Sequence, residues 1–153
     1  FSSRKGSNMR VRKMTKDDVD AVYEIEVATF ANPWTKESIA QEVVENLMAV
    51  YMVIEVDERV IGYAGMWTVV DELHITNVAV SKAYQGLGYG KALMDALIDY
   101  GRAHGFLHMT LEVRVSNARA IKLYEAYGFI GVGTRPKYYI DNDEDALVMW
   151  KEL

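Results

Sequence analysis

The sequence predicts an α/β (α+β) fold: a mixed central sheet of about seven strands with helices on both faces. Two observations lead to this prediction. Half of the 153 residues are apolar, which is enough to bury a substantial core. Residues 9–153 also alternate β-rich runs with helical patterns in the order β-α-α-β-β-β-α-β-α-β-β, which is typical of a sheet covered by helices. We therefore expect a single domain over 9–153.

The first elements are a short strand and two helices. The strand begins at Met9, and Thr15 opens a capping-box-like start for the first helix. That helix ends before Pro33, and Thr35 is predicted to cap a second helix that ends near Asn46. The residues predicted to face the core are Val19, Val22, Tyr23, Val27 and Phe30, a face interrupted by Glu26, and then Ile39, Val43 and Val44.

The remaining elements surround a glycine-rich loop. The segment Asp57-Glu58-Arg59 indicates a hairpin between two strands, and Leu93, Leu97 and Ile98 form the core face of the helix after the loop. The predicted order is strands over 48–56, 60–70 and 73–80, the loop over 85–90, a helix ending at 104–105, a strand over 109–113, a helix over 117–127, and strands over 129–139 and 146–151.

Composition excludes several classes of function. The net charge of −5 and the absence of a basic stripe disfavour direct nucleic-acid binding. The chain has no cysteine, so a disulfide framework, a thiolate metal site and a cysteine nucleophile are excluded. No apolar run is long enough to span a membrane, and we expect a cytoplasmic protein. Residues 1–8 precede Met9 without a pattern, so we expect a tag or a disordered leader there.

The loop Gln85-Gly86-Leu87-Gly88-Tyr89-Gly90-Lys91 is the first candidate binding site. It follows a strand and opens a helix, so its backbone N–H groups and the positive end of the helix can converge on a pyrophosphate. An ordinary strand-to-helix turn explains the glycines about equally well. Ala92 follows Lys91 where a triphosphate loop requires Ser or Thr, and a dinucleotide fingerprint is absent.

The spacing Q-x-x-G-x-G after the strand Asn77-Val78-Ala79-Val80 resembles the acetyl-CoA signature of the GNAT superfamily of N-acetyltransferases. The resemblance spans 9–153 and continues through L-E-V-R-V-S-N at 111–117 and Y-G-F at 127–129. It implies the GNAT fold, acetyl-CoA as cosubstrate and a pyrophosphate on the loop. Three stretches, N-P-W-T at 32–35, L-E-V-R at 111–114 and R-P-K-Y-Y at 135–139, resemble the RimI group, whose bacterial members acetylate the N-terminal alanine of ribosomal protein S18.

Glu112 is the candidate general base. It ends an otherwise apolar strand, where partial burial is expected to raise its pKa and let it accept the ammonium proton directly or through water. The resemblance to the RimI group implies the same role. An ordinary ion pair with Arg114 or Arg119 is the alternative.

Tyr124 is the candidate general acid, because a phenol with a pKa near 10 holds its proton at neutral pH. The resemblance implies this role, and packing of an aromatic residue in the core is the alternative. Asn117 is suited to cap the helix, and the resemblance also places it against the coenzyme. Backbone groups of Val78, Ala79 and Val80 are implied to hold the pantetheine arm and the oxyanion, if their strand separates from the one over 109–113.

The acceptor is expected to be an N-terminal α-amine. Its pKa near 7.7–8.0, against about 10.4 for lysine, makes deprotonation about 3–4 kcal/mol easier at neutral pH. Trp34, Tyr138 and Tyr139 are implied to flank the acceptor groove, although aromatic packing explains them equally well. The acidic run over 141–145 indicates a solvated turn that can also attract a basic ribosomal-protein tail.

Two other functions stay open: acetylation of lysine or a small amine, and a non-catalytic acyl-CoA-binding module. His74, His104 and His108 show neither pairing nor metal-ligand spacing, so we predict no metal site and place them as surface or core residues. We expect a monomer or weak homodimer without membrane contact.

Overall fold

The computed structural model describes residues 8–153. All but the last residue of the predicted leader over 1–8 therefore lie outside the described residues. Within 8–153, none of the helices combines the length and the apolar character needed to cross a membrane.

The predicted element order is confirmed, with boundaries shifted by one or two residues. The strands are β1 (Met9–Lys13), β2 (Ala49–Val56), β3 (Arg59–Val69), β4 (Glu72–Val80), β5 (His108–Arg114), β6 (Ile130–Tyr139) and β7 (Glu144–Glu152). The helices are α1 (Val19–Thr29), α2 (Lys36–Val44), α3 (Tyr89–Ala103) and α4 (Ala118–Ala126), with 3-10 turns at Lys16–Asp18 and Lys82–Tyr84.

All seven strands form one mixed sheet in the order β1-β2-β3-β4-β5-β7-β6. The neighbours are antiparallel except β4 and β5, which run parallel. The β4–β5 pairing covers Glu72–His74 against 108–110 and ends there, although both strands continue. The separation implied by the family resemblance is therefore present, and it opens the middle of the sheet.

Helices cover both faces of the sheet, as predicted. Leu93, Leu97 and Ile98 of α3 are buried on one face, where half-buried residues of α4 also pack. Helices α1 and α2 cover the other face and bury Val22, Ile25 and Ile39 against the sheet. Packing of an apolar helix face against the sheet is the main source of helix stability in a protein of this size.

The 3-10 turn Lys16–Asp18, which leads into α1, confirms the capping box. The Thr15 side chain accepts a hydrogen bond from Asp17 N at 3.3 Å, and Asp18 Oδ2 accepts one from Thr15 N at 2.8 Å. Two of the predicted core positions are wrong, because Val27 is 49% exposed and Val44 is 59% exposed. The α1 stripe is turned instead toward Ile25 and Glu26, so the glutamate that interrupted the pattern belongs to the buried face.

Candidate active site

The separation of β4 from β5 opens a cavity of about 590 Å³ that reaches α1 on one face of the sheet and α4 on the other. Its walls come from α1 and the loop after it, from β4, β5 and α4, and from the segment around 138–141. Seven of the residues predicted for the site line it: Trp34, Val78, Glu112, Asn117, Tyr124, Tyr138 and Tyr139. Residues as distant in sequence as Trp34 and Tyr139 thus share one cavity.

Glu112 is held in this cavity by two side chains, those of His74 and Arg135. Its Oε1 lies 2.6 Å from His74 Nε2, and its Oε2 accepts a hydrogen bond from Arg135 Nε at 3.3 Å. The Glu112 side chain is only 9% exposed. The alternative prediction, an ion pair with Arg114 or Arg119, is wrong because the arginine that pairs with Glu112 is Arg135. Arg114 pairs with Asp141 and Glu144 instead.

The expectation of a raised Glu112 pKa is also wrong. Burial does raise this pKa, but the hydrogen bond from His74 and the charges of His74 and Arg135 outweigh burial and hold it below its ordinary value of 4.5. The carboxylate is therefore ionised throughout the neutral range. It can attract and orient a cationic amine before it accepts a proton.

Tyr124 faces the same cavity from α4. Its ring packs edge-to-face on Phe129, with ring centroids 5.8 Å apart. Burial raises the pKa of the Tyr124 phenol above its ordinary value of 10, so the hydroxyl holds its proton at neutral pH. Core packing and access to the cavity are thus combined in one side chain. The Tyr124 hydroxyl on α4, a proton donor, and the ionised Glu112 carboxylate on β5 thus line the same cavity.

The aromatic residues predicted to flank the acceptor groove also lie at the cavity. Trp34 follows α1, where its backbone N–H donates to the buried Glu26 Oε2 at 3.1 Å. Tyr138 and Tyr139 stack edge-to-face at 5.0 Å, and the Arg114 guanidinium lies 4.0 Å from the Tyr139 ring centroid. Burial raises the pKa of Tyr139 to about 12. These contacts give the cavity one aromatic wall.

Asn117 does cap α4, since its Oδ1 accepts a hydrogen bond from Ala120 N at 3.1 Å. Thr35 caps α2 in the same manner, accepting from Ser38 N at 3.1 Å. The N-terminus of α3, by contrast, has no side-chain cap. The first N–H groups of α3 therefore keep their hydrogen-bonding capacity, and the positive end of a 15-residue helix lies beside them.

The glycine loop gives open access to this helix end. Gly86 and Gly88 have φ of +78° and +90°, which is the left-handed region that favours glycine, and a Cβ at Gly86 would meet no atom within 4 Å. An anionic pyrophosphate fits such a cradle of backbone N–H groups. The loop residues do not line the Glu112 cavity. Gly88 and Lys91 instead border a separate groove of about 740 Å³ along α3.

Several groups of the residues predicted to bind the coenzyme are buried or hydrogen-bonded within the protein. The Tyr89 ring is buried in the core, and the Gln85 side-chain amide donates to the Val80 carbonyl at 3.0 Å. Ala79 is buried, and the Lys91 carbonyl accepts a hydrogen bond from the Tyr127 hydroxyl at 3.0 Å. Tyr89 and Gln85 therefore shape the loop. The Gln85 backbone N–H donates to the Lys82 carbonyl at 3.3 Å, so of these two residues Tyr89 is the one that offers a ligand its backbone N–H.

Sequence reasoning missed three residues of this site: His74, Arg135 and Glu26. The description of His74 as unpaired is wrong, because it contacts Glu112. His74 is in register with Thr110, so its side chain lies on the same sheet face as Glu112 two positions further on. The sequence shows that Thr110 and Glu112 lie on the same face of β5, but it does not show which residue of β4 pairs with Thr110. Arg135 belongs to the R-P-K-Y-Y stretch and Glu26 interrupts the apolar face of the first helix, but neither signal indicated a role in the site.

Comparison with known proteins identifies the family. The model of the acetyltransferase (GNAT) family matches residues 19–129. A Bacillus subtilis chain, named as a candidate ribosomal protein bS18-alanine N-acetyltransferase, is 44% identical over 140 residues, covering 92% of this chain and 93% of its own length. The ribosomal protein bS18-alanine N-acetyltransferase of Escherichia coli K12 is 35% identical over 143 residues, covering 91% and 94%.

The fold agrees with these sequence relationships. The crystal structure of the ribosomal-protein-S18-alanine N-acetyltransferase from Escherichia coli superposes with a TM-score of 0.87 at 33% identity, covering 94% of this chain and 93% of that one. The recognised family, the RimI-like relatives and the fold all agree with the resemblance. The chain belongs to the GNAT family of acetyltransferases, and its sequence and fold are like those of RimI.

Proposed function

We propose that this chain transfers the acetyl group of acetyl-CoA to the N-terminal α-amine of a protein, with the N-terminal alanine of ribosomal protein S18 as the acceptor. The observation that carries the proposal is the convergence of Glu112 and Tyr124 on one cavity where β4 and β5 separate. The names of relatives that are 35–44% identical support the choice of acceptor. Such an acceptor places the reaction in the cytoplasm, with residues 9–153 acting as one domain, either as a monomer or as a weak homodimer.

The uncapped start of α3 and the loop over 85–90 fit the pyrophosphate of the coenzyme. Their unpaired N–H groups and the helix dipole supply the attraction that two negative charges need. Backbone groups of Val78, Ala79 and Val80 border the gap between the strands, where they hold the pantetheine arm and the oxyanion. Gln85 already occupies the Val80 carbonyl, so Val78 and Ala79 carry most of this role.

Glu112 acts on the acceptor amine. Because its pKa lies below 4.5, equilibrium removal of a proton from an ammonium of pKa near 8 would cost at least about 4 kcal/mol. The α-amine, whose pKa is near 8, attacks as its neutral fraction after losing its first proton to solvent. Glu112 is better suited to hold that amine in place and to take up the proton released after attack on the thioester. The nitrogen is then positively charged and strongly acidic. Proton transfer follows either directly or through one water molecule.

Tyr124 acts on the departing sulfur. A buried phenol with a raised pKa keeps its proton until a thiolate forms beside it, and donating that proton prevents the thiolate from returning. Trp34, Tyr138 and Tyr139 wall the acceptor side of the cavity and exclude water from it. No metal takes part in this scheme, and no residue forms a covalent intermediate with the acetyl group.

The test is acetyl-CoA turnover with peptides that begin with Ala, Ser or Met, each with and without an internal lysine, together with small amines. Acetylation of the α-amine, located by mass spectrometry, is the expected result. Glu112→Gln should lower kcat/KM by about 10²- to 10⁴-fold. Glu125→Gln, an exposed glutamate on α4, is the matched control and should leave turnover unchanged. Acetyl groups found only on lysine or on small amines would contradict the acceptor, and binding without turnover would contradict the enzyme.

A further inference from the structure

Strand β4 contains an irregularity at the point where it enters the cavity. Ile75 pairs with Met66 and Asn77 pairs with Gly65, so Thr76 has no partner on β3 and forms a β-bulge. Bulges change the direction of side chains and are enriched beside active sites. Ile75 packs in the core on the α3 side of the sheet, and it lines the Glu112 cavity together with Thr76 and Asn77. The bulge thus presents two successive polar side chains to one cavity.

The oxygens of these two side chains have no hydrogen-bond partner. Thr76 Oγ1 and Asn77 Oδ1 are buried and unpaired among residues 8–153. The great majority of buried polar atoms are paired, because an unpaired one loses its hydration without compensation. Two such atoms, adjacent in sequence and lining the same cavity, indicate a position where a ligand supplies the missing donors.

The hydroxyl oxygens of the neighbouring Tyr51 and Tyr63 can accept hydrogen bonds from Thr76 and Asn77, but the tyrosine protons cannot serve the two unpaired oxygens. The Tyr51 hydroxyl donates to Glu42 Oε1 at 3.1 Å, and the Tyr63 hydroxyl donates to Glu26 Oε1. Each hydroxyl has one proton, so both are already used. Tyr51 and Tyr63 are buried and fixed by packing under α1 and α2. Two hydrogen-bond acceptors, Thr76 Oγ1 and Asn77 Oδ1, therefore remain unpaired at the cavity beside these buried tyrosines.

The geometry points to Thr76 and Asn77 as acceptor-binding residues whose oxygens receive the amine and the first peptide N–H of the acceptor. This inference rests on the proposed function and adds a binding subsite to it. The amide N–H groups of pantetheine are the other source of donors. We assign the oxygens to the acceptor because the bulge directs them to the α1 side of the sheet, where Trp34 and Glu112 also lie.

Thr76→Val and Asn77→Leu keep the side-chain size and remove the oxygens. Because neither oxygen has a partner in the free protein, we expect the melting temperature to stay unchanged or to rise. The KM for an alanine-initiated peptide should rise about three- to tenfold in each variant. The kcat and the KM for acetyl-CoA should stay within about twofold, since binding that is equal in the ground and transition states changes KM alone. Thr110→Val, half-buried on the same sheet face but outside the cavity, is the matched control.

A second arm removes the donor from the peptide. An alanine-initiated peptide methylated on its first peptide nitrogen should raise the wild-type KM, and the Thr76→Val/Asn77→Leu double variant should lose most of that discrimination. Unchanged acceptor KM in both single variants would overturn the inference. A rise in the KM for acetyl-CoA instead would also overturn it and assign the oxygens to pantetheine. If the wild type acetylated only another amine, the proposed acceptor would fail, and the same KM comparison on that amine would still decide the role of the two oxygens.

Discussion

His74 Nε2 lies 2.6 Å from Glu112 Oε1, across the point where β4 and β5 stop pairing. His74 is the last residue of β4 that pairs with β5. Glu112 lies two positions beyond Thr110, the last residue of β5 that pairs with β4. The contact between these two side chains therefore links β4 and β5 just beyond the last backbone pair between them. It also fixes one oxygen of a carboxylate that lines the cavity, and Arg135 contacts the other.

Replacing His74 should raise the pKa of Glu112. Burial favours the protonated form, and the hydrogen bond and charge of His74 oppose it in the wild type. With His74→Leu, burial dominates, so the Glu112 pKa should move above its present value, and the acidic limb of kcat/KM should move to higher pH. Titration of ¹³C-labelled glutamate carboxyls by NMR measures the shift. Arg135→Gln should produce a smaller rise, and equal titration curves in wild type and His74→Leu would contradict the assignment.

Tyr124→Phe should separate chemistry from binding. The ring and its contact with Phe129 are retained, so we expect an unchanged melting temperature and a KM for acetyl-CoA within about threefold of the wild type. Loss of the proton donor should lower kcat by about 10²-fold or more. Steady-state kinetics at pH 7–8 check this. A Tyr124→Phe enzyme with wild-type kcat would remove the phenol from the mechanism.

Glu26→Gln should destabilise the acceptor wall. This buried carboxylate, 3% exposed, accepts hydrogen bonds from Tyr63 and from the backbone N–H of Trp34. A glutamine retains only one acceptor oxygen, so one buried donor is left facing an amide N–H. We expect a loss of about 1.5–3 kcal/mol in the free energy of unfolding, measured with urea. Glu24→Gln on the exposed side of α1 is the control and should change it by less than about 0.5 kcal/mol.

The Arg12–Asp18 pair should make stability depend on pH in the acid range. Two guanidinium nitrogens of Arg12 donate to the two Asp18 oxygens at 2.8 Å each, and the Asp18 side chain is 8% exposed. The hydrogen bond from Arg12 outweighs burial and holds the pKa of Asp18 below its ordinary value of 3.8. Because the folded pKa lies below the unfolded one, this stabilisation is complete above the unfolded pKa and is lost as the pH falls through the folded pKa.

Asp18→Asn should therefore lower the free energy of unfolding by about 1.5–3 kcal/mol at pH 7. The difference from the wild type should shrink below about pH 4, as Asp18 becomes protonated. Denaturant titrations at several pH values check this. Asp20→Asn removes an exposed ion pair with Lys36 and should change stability by less than about 1 kcal/mol at every pH. A gap between Asp18→Asn and wild type that is constant from pH 7 to pH 2 would contradict the linkage.

Val70→Gly should stabilise the protein. Val70 lies in the turn between β3 and β4 with φ of +56°, and it is 92% exposed. A left-handed backbone costs an L-residue about 1–2 kcal/mol, whereas glycine loses about 0.5–1 kcal/mol more conformational entropy on folding. The net gain should be about 0.5–1 kcal/mol, measured by thermal unfolding. Val70→Ala keeps the Cβ and should give little of this gain.

The sequence by itself determined the element order, the three helix caps and the position of the glycine loop. These features depend on neighbours only a few residues apart: Thr15 with Asp18, Thr35 with Ser38, Asn117 with Ala120, and Gly86 and Gly88 with the first turn of α3. Through the family resemblance it also predicted Glu112 and Tyr124 as candidate catalytic residues, and both line the cavity. Where one residue of a helical stripe was polar, as at Glu26, the local pattern could not show which way the helix turned.

Only the tertiary structure decided what surrounds those residues and therefore what they can do. The pKa of Glu112 moved opposite to the expected direction because His74 and Arg135, 38 and 23 residues away in sequence, reach it across strands and outweigh burial. The bulge at Thr76 and its unpaired oxygens likewise depend on the register between β3 and β4. Electrostatic and hydrogen-bond energies are set by distances of a few ångströms, and the strand register that fixes those distances is a property of the assembled sheet.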